Sequence, residues 1–258
     1  MRLMKRILSA AAVLALSASL LVGCSSGTAS SVPVSASSAA ESTVSSVEET
    51  ASSAVDENEA AAAQLLNDLT GSYQELWPVI LADEYQQTWL DDCTALVGEE
   101  NAEAAFEKLS SMVTSDVYGE DAVEAYANGG GAYFCGFTNS LATLTFDGET
   151  STISGTDKDG NVLFSHTYHY IGMEPVHGLY EFESDDADSG EFTYFFLAPD
   201  TSAETYHIEF RYGSDVDALS QYDAGDYAYW LASGISTDCD QTMIDNCIEL
   251  FCTENLAG

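Results

Sequence analysis

From Ala132 to Tyr212 the apolar residues fall into a period of two, and this alternation limits the fold more than any other feature. Successive side chains of a strand point to opposite faces, so runs at this period read as half-buried strands. Tyr133–Phe137, Ala142–Phe146, Glu149–Ser154, Val162–Tyr170, Leu179–Glu183, Glu191–Ala198 and Thr205–Tyr212 are the predicted strands. Asp147-Gly148, Asp159-Gly160, Asp185-Asp186 and Pro199-Asp200 stand between them as turn signals. Short strands repeated at this spacing predict an antiparallel sandwich or barrel.

Ahead of the strands the period is helical. Leu65, Leu66, Leu69, Tyr73, Leu76, Trp77 and Ile80 form one stripe. Thr70-Gly71-Ser72 predicts a break in it, with Ser72 or Thr70 capping the next turn, and Pro78 shortens or kinks the second helix. Asp83–Leu96 and Asn101–Val113 predict two further helices, Asn128–Gly131 a loop, and Thr242–Leu250 a closing helix. Tyr227, Tyr229 and Trp230 make an aromatic knot before it. The reading is an α+β domain dominated by β-structure over residues 57–258, the size of a single domain.

The N-terminus reads as an export signal. Arg2, Lys5 and Arg6 precede an apolar run, Ile7–Val22, that ends Leu21-Val22-Gly23-Cys24. That ending resembles a bacterial lipobox, which implies cleavage before Cys24, a lipid on Cys24, and a place on the extracellular face of the cell membrane. Residues 24–56, rich in Ser and Ala and without an aromatic, are expected to be a disordered linker. As a coil it would reach roughly 30 Å.

Charge excludes one class of partner. The chain carries 43 Asp and Glu against 6 Lys and Arg, for a formal net charge of −37. Half of the basic residues lie in the export signal, leaving Lys108, Lys158 and Arg211. Nucleic acid is bound by neutralising its phosphates with Lys and Arg, so it is excluded. An anionic membrane surface would repel the domain, and membrane contact is expected through the lipid only. Beyond Cys24 stand Cys93, Cys135, Cys239, Cys247 and Cys252, with no C-x-x-C spacing. An odd number leaves at least one thiol outside any internal bridge, and spacing does not choose the pairing. No hydrolase, metalloprotease, phosphate-loop or dinucleotide motif is present, so the chain is expected not to be an enzyme. Asp215–Asp217 and Asp185–Asp188 lack the Gly and Glu of an EF-hand and read as solvated acidic loops.

Four His remain to consider. His166 and His169 fall on opposite faces of their predicted strand and cannot both point into a barrel. His177, between Pro175 and Gly178, is placed in a loop at a barrel rim. His207 and Glu209 are the one i, i+2 pair and project side by side. An imidazole beside a carboxylate is half of a metal site, or a surface pair.

The landmarks from Leu65 to Leu256, taken in order, resemble the ZinT family of lipocalin-like exported metal-binding proteins, a domain that also occurs in the zinc-binding lipoprotein AdcA. They are Leu69–Pro78 as the opening element, Asp159-Gly160-Asn161 followed by Thr167–Gly172, Gly178–Glu183, and Phe195–Pro199 followed by His207–Gly213. The resemblance implies N-terminal helices, a lipocalin-like antiparallel β-barrel and a C-terminal helix. It implies divalent-metal binding, zinc first, with a scavenging role or one accessory to metal uptake and a transporter as partner. The family holds zinc with three His. Carried onto this chain, these positions fall on Phe195, His207 and Glu209. Phe195 cannot ligate, so the metal residues expected are His207 and Glu209, with His177 as a further candidate. The alternative is a barrel that has lost metal and binds a small organic ligand or a protein partner, with Phe195 and its aromatic neighbours Tyr194, Phe196 and Tyr206 lining the pocket.

Overall fold

The computed structural model describes residues 57–198 and 207–257. The export signal, Cys24, the linker and the turn at Pro199-Asp200 lie outside them. Eight antiparallel strands close into a barrel in sequence order. They are β1 (Gly71–Glu75), β2 (Thr143–Asp147), β3 (Thr152–Thr156), β4 (Val162–Met173), β5 (Tyr180–Ser184), β6 (Tyr194–Leu197), β7 (His207–Gly213) and β8 (Ala232–Ser236). β8 pairs back onto β1 through Tyr73↔Ser236, Gln74↔Ile235 and Glu75↔Gly234, which leaves no open edge.

The alternation expected from the sequence decides what fills the barrel. Tyr73, Leu144, Phe146, Ile153, Phe164, Tyr168, Phe182, Phe195, Leu197, Ile208, Phe210 and Tyr212 belong to one buried cluster. Residues 57–68 are helical (α1) and, with Leu69 just after them, add Leu65, Leu66 and Leu69 to it from the Gly71 end. At the Glu75 end the segment 134–141 crosses the barrel. Phe137 N–H donates to Glu75 Oε1 at 2.6 Å, and the Thr138 N–H donates to Tyr212 Oη at 2.6 Å.

A second core lies outside the barrel. α2 (Leu76–Ile80), α3 (Gln86–Val97), α4 (Ala102–Met112) and α7 (Gln241–Leu256) bury Leu76, Ile80, Trp89, Cys93, Leu109, Ile248, Phe251 and Cys252 together with Ile235 of β8. Asp240 caps α7 by accepting from Met243 N–H at 3.0 Å. Two shorter helices, α5 (Glu120–Ala127) and α6 (Val216–Leu219), stand in the connections. No helix among the described residues is long and apolar enough to cross a membrane.

Several boundaries differ from the sequence reading. Tyr133–Phe137 is not a strand: it makes two isolated bridges, Thr114↔Phe134 and Phe134↔Trp230, and spends its polar groups closing the barrel end. The predicted strand Glu149–Ser154 begins at Thr152, because Gly148 to Ser151 is used by the turn, with Ser151 at φ 52°. The helical stripe over Leu65–Ile80 is interrupted by β1, where Ser72 caps nothing and instead bonds Thr145 Oγ1 at 2.8 Å. β8 lies beyond the predicted strands, since Ala-Ser-Gly-Ile-Ser carries one large apolar side chain.

Candidate functional site

β7 sorts the candidate residues by face. Ile208, Phe210 and Tyr212 point into the barrel, so His207, Glu209 and Arg211 point outward. Across to β8, His207 stands opposite Ile235 and Glu209 opposite Ser233. Ile235 belongs to the helical core, which puts His207 and Glu209 on the side of the sheet where barrel and helices meet. Both are half-buried. Sequence reasoning placed them side by side, and the structure keeps them so.

Cys135 joins this seam. Its carbonyl accepts from Ser233 N–H at 3.0 Å. Burial, followed by the negative charge of Glu209, holds its thiol above the ordinary range. Cys135 is thus a sulfur-bearing neighbour of the sheet face that carries His207 and Glu209. The thiol would have to lose a proton to ligate, and its surroundings oppose that. Nothing in the sequence pointed to Cys135, because it sits in a stretch that reads as an ordinary strand.

Phe195 is on the other side of the same sheet. It stands opposite Tyr212 and is fully buried among Phe164, Tyr168, Phe210 and Tyr212. The position that the resemblance matches to a metal-binding His is therefore part of an aromatic core. It does not face His207 or Glu209. Of the other residues expected beside it, Phe196 is fully buried on the outward face and Tyr194 is half-buried; Tyr206 lies outside the described residues.

His177 sits in the turn after β4, as its flanking Pro and Gly suggested. Glu174, fully buried, accepts from Val176 N–H at 2.9 Å and from His177 N–H at 2.5 Å. The His177 ring lies 3.9 Å from the Tyr222 ring, and its Nδ1 is 3.4 Å from Glu174 Oε2. Tyr222 in turn lies beneath the Arg211 guanidinium, 4.2 Å away. Arg211, the one basic residue buried among the described residues, donates to the carbonyls of Leu219, Gln221 and Tyr227. Burial lowers its pKa. Arg211 thus pins the 216–227 connection to the barrel wall, a role its position in an alternating strand did not reveal.

His166 and His169 each pair with an acid of the β5–β6 connection. His166 Nδ1 lies 2.7 Å from Asp186 and His169 Nδ1 lies 2.7 Å from Asp185. Among the described residues no group of three His, Cys, Asp or Glu side chains is arranged to hold a metal ion. His207 and Glu209 share the outward face of β7, and the Cys135 backbone is bonded to Ser233, which stands opposite Glu209 on β8.

No protein-family model matches the chain, and no curated protein matches it. Among solved structures the chain is similar to the Zn(II)-bound ZinT-like domain of AdcA from Streptococcus pneumoniae, at 14% identity and a TM-score of 0.44 over 70% of this chain and 87% of that one. It is also similar to Zn(II)-bound AdcA from the same organism, at 13% identity and a TM-score of 0.41 over 71% of this chain. There the match spans 34% of the AdcA chain, about a third of its length.

Proposed function

We propose that this chain is a non-catalytic binding protein held at the outer face of a bacterial cell membrane by lipid on Cys24, and that its cargo is a divalent cation, zinc first. The observation that carries the reading is the shared outward face of His207 and Glu209 on β7. The ligands are one imidazole nitrogen and one carboxylate oxygen, and water completes the shell. Such a pair binds weakly and discriminates poorly between divalent metals. That suits a scavenger that collects metal and passes it to an uptake transporter. The acidic surface supports the reading by attracting cations toward the domain. His177 is a weaker candidate, because its ring packs at a tilt against Tyr222 beside Glu174.

The test is calorimetric titration of the purified chain with Zn²⁺, repeated on His207→Ala. Weak binding that disappears in the variant supports the assignment. No binding, or binding that the substitution leaves unchanged, sinks it.

The aromatic burial of Phe195 favours a second reading, in which the barrel no longer handles metal and its surface meets a small organic ligand or a protein partner. A chain inert to Zn²⁺, Mn²⁺ and Ca²⁺ alike would support that reading over the first.

A further inference from the structure

In the helical layer outside the barrel, Cys93 of α3 and Cys252 of α7 bring their sulfurs to 3.9 Å, and both residues are fully buried. A disulfide has its sulfurs about 2.05 Å apart. Closing the gap asks about 1 Å of each sulfur, within what a side-chain rotation and a small helix shift supply. The two helices already touch beside this pair, where the rings of Trp89, one turn before Cys93, and Phe251, next to Cys252, meet edge to face at 6.0 Å. We propose that Cys93 and Cys252 are a disulfide-forming pair that staples the C-terminal helix to α3.

Cys135 lies against Ser233 at the barrel seam, and Cys239 precedes the Asp240 cap of α7. A bridge between Cys93 and Cys252 uses two of the five Cys beyond Cys24 and leaves Cys135, Cys239 and Cys247 outside it. The step is an exchange with an external disulfide. Two S–H bonds break and one S–S bond forms in the protein. The two electrons and two protons reduce the external disulfide to two thiols.

Timing follows from burial, which pushes both thiols up and suppresses the thiolate that exchange needs. The bridge therefore forms while α7 is still docking, and once formed it is shielded from reductant. It joins residues 159 apart in sequence, so it restrains a large part of the unfolded chain.

The full chain is unfolded under reducing conditions and refolded with oxidised glutathione. Remaining thiols are alkylated and the chain is cut without reduction by a protease specific for acidic residues, since trypsin finds few sites. Cleavage at Asp92, Glu99, Glu249 and Glu254 separates Cys93 and Cys252 from every other Cys. A peptide containing Cys93 linked to one containing Cys252 is the result expected. Oxidised protein should melt about 5–10 °C above reduced protein. That gap should vanish in Cys252→Ala, a difference that lost side-chain contacts alone would not remove. Alkylation of both Cys93 and Cys252, or linkage of either to a different Cys, overturns the proposal. The peptide map needs only the wild-type chain, so a variant that fails to fold does not blunt it. It is also independent of zinc binding and of where the chain resides.

Discussion

Phe195 stands directly opposite Tyr212 across β6 and β7, and their rings lie inside the barrel with centroids 5.4 Å apart and planes 25° from parallel. Phe195 has no exposed surface and touches three further aromatic rings. Phe195→Ala is expected to cost about 3–5 kcal/mol of stability, read from urea denaturation. Phe195→His is expected to leave zinc affinity unchanged, because an imidazole there faces the interior while His207 and Glu209 face outward. A gain in zinc affinity would show that the sheet is turned the other way.

Arg211 is expected to be intolerant of removal. Arg211→Met leaves the carbonyls of Leu219, Gln221 and Tyr227 without their donor. Each buried acceptor left alone costs about 1–3 kcal/mol, so a loss of about 3 kcal/mol or more is expected in chemical denaturation. Faster amide exchange across residues 216–227 should accompany it, because the guanidinium holds that connection to the wall.

Gly148, in the β2–β3 turn, is the seat of α1. A Cβ there would lie 2.6 Å from both Asn67 N and Leu66 O, backbone atoms that cannot swing aside. Gly148→Ala is expected to push α1 off the barrel end and to cost about 1–3 kcal/mol. Increased exchange at residues 57–68 with the strands still protected would locate the damage. An unchanged melting temperature would mean that α1 is not seated as the structure has it.

Stability is expected to rise on mild acidification. Burial first, then Glu249, Asp245 and Asp91, hold the carboxyl of Asp92 above its ordinary 3.8. Burial and Glu174 likewise raise Glu181 above 4.5. For such groups the folded state takes up a proton at a higher pH than the unfolded chain does. In the window between the raised and ordinary values, the folded state binds more protons, and stability climbs as pH falls. Melting temperature followed from pH 7 downward should therefore increase before general acid unfolding sets in. Asp92→Asn should raise the melting temperature at pH 7 and flatten that rise. A steady fall from pH 7 would contradict the assignment.

The alternation of apolar residues made most of the barrel legible, because the inward set of β2 and of β4 to β7 can be picked out residue by residue. The strands that close the ring were hidden for opposite reasons. β1 lies in a stripe whose leucines also suit a helix, and Gly71 to Glu75 adds a single buried aromatic, Tyr73. β8 is built from small residues whose burial comes from neighbours rather than from their own apolarity. Of the candidate site, the shared face of His207 and Glu209 was readable from their spacing. The approach of Cys135, 72 residues before His207 in the chain, was not.

The sequence by itself determined the strand period, the helical N- and C-terminal segments, the acidic composition and the shared strand face of His207 and Glu209, since each depends on residues close together in the chain. Only the tertiary structure decided which face of the sheet turns inward, and with it that Phe195 and His207 are parted. It also decided that β8 meets β1, that Arg211 is buried, and that Cys93 meets Cys252. Each of these joins distant segments, and distance along the chain carries no local period from which to read them. The outcome is set by closure of the barrel and by how the helices cover its wall.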